Sequence, residues 1–243
     1  MIILTGFYNA EQYIERCLGS IMGQSFTDFT CYITHDLSTD NSVELVKNMI
    51  EGDDRFILMP DADKKLYQAG NFDRVIRNNP NIKDDEVLIE VDGDDWLPHD
   101  KVFEKINEVY QDKNVWITNG SFRYSDGSIG FSSKQKIGPT LRQDQMTCSH
   151  IRTWRAFLWR AINEKDLRDE ENNYWQWSGD LCFMFPMLEM ATDEHYEFID
   201  DILYVYNAEN PINEHKVDLS MVNNHATRIR QKEPYKKLIY DNM

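Results

Sequence analysis

The chain has 243 residues, 41% hydrophobic and 28% charged, which suits one generous domain and excludes a disordered chain. Its 42 acidic against 26 basic residues give a net charge of −16, which argues against nucleic acid or an anionic membrane as partner. No apolar run approaches the roughly 18 residues of a membrane span, and Met1-Ile2-Ile3-Leu4-Thr5 lacks the basic flank of a signal peptide, so a cytoplasmic protein is expected.

The first half alternates strand and helix signals. Ile2-Ile3-Leu4 reads as a strand. Asn9, with Gln12 three residues on, resembles a capping box ahead of a helix bearing Ile14, Cys17, Leu18, Ile21 and Met22. Phe29 to Thr34 is a second strand, and Ser38 to Asn41 offer caps for a helix carrying Val43, Val46 and Ile50. Phe56 to Met59 is a third strand, followed by a helix near Asn71 to Asn78 that stops before Pro80. Val87 to Val91 is the most hydrophobic strand, and Val102, Phe103, Ile106, Val109 and Tyr110 mark the next helix. This rhythm indicates βαβ units on a mainly parallel sheet with helices on both faces, which binds ligands beyond the carboxyl ends of its strands.

The second half is less regular. A strand over Val115 to Asn119 precedes a hairpin signal at Ser125-Asp126-Gly127-Ser128. Ile151 to Ile162 has a helical pattern, Lys165 to Asn173 reads as an exposed loop or helix end, and Pro186 is expected to kink or divide a helix through Leu181, Met184, Leu188 and Ala191. Ile202 to Tyr206 is a late strand, and the polar tail from Val222 to Met243 reads as helical. Cys17, Cys31, Cys148 and Cys182 have no C-x-x-C spacing, which favours free thiols over a structural zinc site.

Three strand ends carry chemistry. In Ile89-Glu90-Val91-Asp92-Gly93-Asp94-Asp95-Trp96 an apolar strand runs into three acids, and Asp92 and Asp94 fall on one face of an extended chain. Carboxylates gathered at a buried strand end are costly unless a divalent cation offsets their charge, and hard oxygen ligands suit Mg²⁺ or Mn²⁺; an Asp-Gly turn with capping acids is the plainer alternative. In His35-Asp36-Leu37-Ser38-Thr39-Asp40-Asn41-Ser42 the later residues have capping to do, which leaves Asp36 free to accept a hydrogen bond from a ligand. In Gly6-Phe7-Tyr8-Asn9 an aromatic ring stands where it can stack on a base or simply close the end of the sheet.

Together these stretches resemble a family 2 glycosyltransferase of the nucleotide-sugar-binding GT-A fold. The likeness is carried by Phe7-Tyr8-Asn9-Ala10 with Tyr13-Ile14 and Cys17-Leu18 through to Gln24, by Asp36 to Ser42, and by Val91-Asp92-Gly93-Asp94-Asp95-Trp96-Leu97, roughly the first 110 residues. It implies that Tyr8 stacks on the nucleobase, that Asp36 accepts the base's ring N–H, that Asp92 meets the ribose or shares the metal, and that Asp94 is the main ligand of Mn²⁺ or Mg²⁺. The donor implied is a UDP-sugar. His35 departs from the family's usual acid and loosens the choice of nucleotide. Residues 1–110 would then form the nucleotide-sugar half and residues 111–243 the acceptor and catalytic half.

For an inverting reaction the resemblance puts a base at the start of a helix, where Asp180 stands after Trp177-Ser178-Gly179; Gly179 replaces the acid that usually precedes it. The plainer role of Asp180 is to favour the helix dipole. Glu189 is a structural partner for Arg152 or Arg155. His150 and Arg152 resemble a histidine–arginine segment near the cleft of related transferases, with Arg152 toward the diphosphate. His215 is the nearest candidate for a C-terminal metal ligand. Lys64 and Lys65 could approach phosphates, and Trp154, Trp159, Trp175 and Trp177 fall on the expected acceptor side, where core packing is the commoner duty of such rings. The expected activity is metal-dependent transfer of a sugar to a glycan or other hydroxyl acceptor. A metal-dependent nucleotidyltransferase and a catalytically inactive sugar-nucleotide-binding module are the alternatives.

Overall fold

The computed structural model describes residues 1–240. Seven strands, β1 (Ile2–Phe7), β2 (Thr30–His35), β3 (Phe56–Leu58), β4 (Val87–Glu90), β5 (Ile117–Tyr124), β6 (Arg152–Arg155) and β7 (Tyr196–Tyr206), form one sheet in the order β3-β2-β1-β4-β6-β5-β7. β1 runs parallel to β2 and β4, β2 to β3, and β5 to β7, while β6 is antiparallel to both its neighbours. Six strands therefore point one way. β6 alone points back, so its first residue lies where its neighbours end.

The central strands are buried on both faces, which is why β1 and β4 read as unbroken apolar runs. Ile3, Ile33 and Ile89 face helices α1 (Ile14–Met22), α2 (Ser42–Ile50) and α4 (Val102–Val109). Ile2, Leu4, Leu88 and Trp154 face α3 (Tyr67–Ile76), α5 (Ala156–Ala161) and α6 (Gly179–Ala191). α1 buries Ile14, Cys17, Leu18 and Ile21, the stripe its spacing predicts. The four cysteines are buried and unpaired. A short α7 (Glu214–Val217) and α8 (Leu219–Arg230) follow β7, and among the described residues no helix is long and apolar enough to cross a membrane.

Several local expectations give way to tertiary structure. Asn9 does not cap α1: it has a positive φ of 48°, its side-chain oxygen accepts from Thr39 N–H at 2.8 Å, and the helix starts only at Ile14. The periodicity over Ile151 to Ile162 hides a strand, because Arg152–Arg155 fills the gap between β4 and β5, and the helix begins at Ala156. Pro186 neither divides nor stops α6, which is enclosed on nearly all sides, so packing sustains it through the lost backbone bond. The hairpin signal is a tight turn, with Tyr124 N–H donating to Ser128 O at 2.8 Å, and only an Arg123–Ile129 bridge returns along β5. The helical reading of the tail holds to Arg230 and fails over 231–240, which form no helix; residues 241–243 lie outside the described part.

Candidate active site

The acidic turn after β4 is fastened on two sides. Val91 N–H donates to Leu4 O at 3.0 Å and Gly93 N–H to Gly6 O at 2.9 Å, extending the pairing with β1. Asp92 N–H donates to Tyr204 OH at 3.0 Å, and Trp96 and Val205 exchange backbone bonds, tying the far side to β7. Asp95 is buried, accepts from Asn207 N–H at 2.7 Å, and holds the turn rather than facing a ligand. Asp92 and Asp94 are half-buried at the surface of the turn.

Asp94 accepts from the Asn210 amide at 2.7 Å, and burial together with the neighbouring Asp92 pushes its carboxyl up to about 6. Burial also works against ionised Asp92, but His150, Arg152 and Gln68 outweigh it and hold Asp92 below its ordinary value. Two carboxylates of this kind fit a divalent cation, whose charge would offset their repulsion. Glu90, Asp92 and His150 also present ligand atoms within 4.8 Å of one another. Glu90, however, is fully buried and already bonded to Arg152, and Asp94 is not one of these mutually close ligand atoms. His150 Nε2 lies 3.5 Å from Asp92 Oδ2, and its ring stacks on Tyr204 at 4.7 Å. Burial and the Arg152 charge favour its neutral form.

Glu90 was missed from the sequence, although a lone acid inside Val87-Leu88-Ile89-Glu90-Val91 demands a buried partner and is itself a signal. Its Oε1 accepts from Arg152 at 2.8 Å and from Gln68 Nε2 at 2.8 Å; Gln68 also reaches Asp92 Oδ1 at 3.2 Å. The second terminal nitrogen of Arg152 donates to Asp180 Oδ2 at 2.7 Å. Burial opposes the Arg152 charge, but Glu90 and Asp180 outweigh it and keep the guanidinium charged. Arg152, expected at the diphosphate, thus has both terminal nitrogens engaged by protein. Asp180 stands in the first turn of α6, as its sequence position implied.

The other candidates divide. Asp36 does have a capping duty, contrary to expectation: its Oδ1 accepts from Leu66 N–H at 2.7 Å, Tyr67 N–H at 3.1 Å and the Asn71 amide at 3.1 Å, fixing the start of α3. All three bonds fall on one oxygen. Tyr8 is 38% exposed, with the Lys65 ammonium 3.4 Å from its ring centre. His215 is exposed on α7, outside the cluster of mutually close ligand atoms. Trp154, Trp159 and Trp175 are wholly buried core residues, and only Trp177 is partly open. Glu189 pairs with neither Arg152 nor Arg155 but with Arg142, at 2.6 and 2.8 Å.

A mostly parallel sheet with one reversed strand, and acids gathered where its strands end, defines the GT-A class of folds. Among solved structures the chain is similar to S. aureus TarS 1–349 in complex with UDP-GlcNAc, with a TM-score of 0.67 and 14% identity over 94% of this chain and 64% of that one. It is also similar to the mannosyltransferase PcManGT from Pyrobaculum calidifontis in complex with GDP-Man and Mn²⁺, with a TM-score of 0.59 and 13% identity over 96% and 65% of the two chains. The family model for glycosyl transferase family 2 matches residues 2–173, and the chain belongs to that family. Of curated proteins, the glycosyltransferase GlyA of Streptococcus pneumoniae is 30% identical over 132 residues, 53% of this chain and 18% of GlyA. The chain spans less than two thirds of the length of the curated relatives it matches.

Proposed function

We propose that this chain is a metal-dependent glycosyltransferase that moves a sugar from a nucleoside-diphosphate donor, most consistent with a UDP-sugar, to an acceptor hydroxyl with inversion. The observation that carries this reading is the half-buried Asp92–Asp94 pair, with Asp94 pushed up to about 6, together with an acid, Asp180, at the head of α6. Residues 1–110 form the donor half and residues 111–243 the acceptor half. Tyr8 offers its exposed ring to the base, and Asp36 accepts the base's ring N–H with the oxygen that α3 leaves free. Asp94 and Asp92 hold Mn²⁺ or Mg²⁺. His215 is the third, weaker ligand in this assignment, carried five residues beyond the Asn210 that already bonds Asp94. A bound divalent cation supplies Lewis-acid stabilisation of the departing diphosphate.

The chain's own part is to place the nucleophile. The acceptor oxygen attacks the anomeric carbon, the bond from that carbon to the diphosphate oxygen breaks, and the acceptor proton passes to the Asp180 carboxylate. General-base assistance of this kind contributes about 10²–10⁴ in rate. The UDP-GlcNAc complex of TarS supports a uridine donor, and the GDP-Man complex of PcManGT makes guanosine the alternative to test.

The test is nucleotide release from a panel of UDP-, GDP-, dTDP- and CMP-sugars with Mn²⁺, beside an Asp94→Ala control. Release of a nucleoside diphosphate from one donor, lost in the control, is the expected result. Pyrophosphate release would instead favour a nucleotidyltransferase. Binding of UDP with Mn²⁺ but no turnover on any donor or acceptor would leave a binding module.

A further inference from the structure

We infer that Arg152 and Glu90 are positioning residues for Asp180, and that the guanidinium holds the carboxylate in place instead of binding the donor's diphosphate. This rests on the reading of Asp180 as the base. The geometry is a chain of three ionisable side chains. Glu90 emerges inside the sheet from β4, where its register partner is Leu4, and is fully buried. Arg152 opens the reversed strand β6 and is 5% exposed. One terminal nitrogen is fixed on Glu90 at 2.8 Å and the other on Asp180 at 2.7 Å, while Nε is buried with no partner. Asp180 is 31% exposed at its side chain, so one end of the chain is sealed in the sheet and the other reaches solvent.

Such an arrangement does something a lone base at a helix start cannot. A carboxylate on the first turn of a helix has several rotamers. Asp180 Oδ1 accepts from Leu181 N–H at 3.0 Å and Oδ2 from Arg152, so both oxygens are pinned. The planar fork of arginine transmits the fixed position of Glu90 across the guanidinium, which a flexible ammonium does with less precision. Gln68, bonded to both Glu90 and Asp92, ties the same frame to the acidic turn. Both terminal nitrogens of Arg152 already carry a carboxylate, and a diphosphate that took the place of Glu90 would strand a buried acid.

The test uses nucleotide release by the full chain with Mn²⁺, on the panel donor that the unaltered protein hydrolyses, with water as nucleophile. Kd for the released nucleoside diphosphate is measured separately by calorimetry. The paired variant Glu90→Leu with Arg152→Met removes both fully buried groups together and leaves only the partly exposed Asp180 without its ionic partner. Its kcat is expected to fall at least tenfold, with Kd and donor KM within threefold of the unaltered protein. Arg152→Lys keeps the charge but loses the fork; a loss of at least threefold in kcat with unchanged Kd is expected, and this variant decides the matter if the paired one does not fold. A smaller loss of kcat overturns the inference. So does a loss of nucleotide affinity in step with turnover, which would place Arg152 on the diphosphate. If the unaltered protein releases nucleotide from no donor while still binding none, the glycosyltransferase reading itself fails, and the inference falls with it.

Discussion

Replacing Gly93 by alanine tests whether the acidic turn is as tightly seated as its bonds suggest. A Cβ on Gly93 would lie 2.5 Å from Phe7 Cβ, 3.1 Å from Gly6 O and 3.3 Å from Ile14 Cδ1. Non-bonded carbons normally rest about 3.5–4.0 Å apart, so the first contact is roughly 1 Å too close. Neither Phe7 Cβ nor the Gly6 carbonyl is the free end of a flexible side chain; both are fixed by the pairing of β1 with β2 and β4. The turn must therefore move, stretching the Gly93–Gly6 bond of 2.9 Å and the Asp92–Tyr204 bond of 3.0 Å. Overpacking of this kind costs about 1–3 kcal/mol. For a chain of this size that lowers Tm by about 2–12 °C, since each kcal/mol is worth roughly 2–4 °C. Because Asp92 and Asp94 flank the displaced residue, Mn²⁺-dependent binding of UDP should weaken by more than the stability loss alone implies, about tenfold or more. Thermal unfolding and calorimetry read the two effects. A variant with Tm within 1 °C and UDP–Mn²⁺ affinity within twofold of the parent would show that the turn is pliable and the argument wrong.

Other perturbations address separate parts of the molecule. Asp180→Asn should lower turnover by about 10²–10⁴ while nucleotide binding stays within twofold, and equal losses of both would remove it from the base position. Asp94, raised from an ordinary 3.8 to about 6, favours the fold only while protonated, so its contribution is full below about 4 and lost as pH climbs through 6. Without metal, Asp94→Asn should therefore raise Tm at pH 8 and leave it unchanged at pH 4; an equal shift at both pH values would contradict this sign. Arg142→Met strands Glu189 on α6, and losing one partner of a pair that is 7% exposed on each side should cost about 3–5 kcal/mol. Adding Glu189→Leu should recover much of the lost Tm, and failure to do so would assign the damage to packing.

The first half of the molecule is legible in the sequence because it is built locally. β1, β2 and β4 are apolar runs that each end in the residues of interest, so Tyr8, Asp36, Asp92 and Asp94 can be placed by reading a strand to its end. The reading of Asp36 went astray because its partners, Leu66 N–H and Tyr67 N–H, are 30 residues away, and capping from a distance leaves no local spacing. The strand Arg152–Arg155 was hidden because Ile151, Trp154, Leu158 and Ile162 fit a helical period, while the need for a strand there comes from an open edge on β4 that only the tertiary structure reveals. Glu189 failed for the same reason: its arginine could be any of several, and packing of α6 selected Arg142. Pro186 shows the converse, since a strong local rule yields in a helix whose own Phe183, Phe185 and Met187 are buried.

The reversed strand β6 also couples the charges of the site to the completion of the sheet. β4 and β6 are adjacent in space, yet Glu90 and Arg152 are separated by 62 positions in the chain. Until β6 docks, β3-β2-β1-β4 ends in an apolar open edge, and Glu90 sits there without its counter-charge. The same event buries the edge, neutralises Glu90 and delivers Arg152 to Asp180. Competence and completeness of the fold thus arrive together, and a truncated or half-folded chain carries the acids of the site without the frame that orders them.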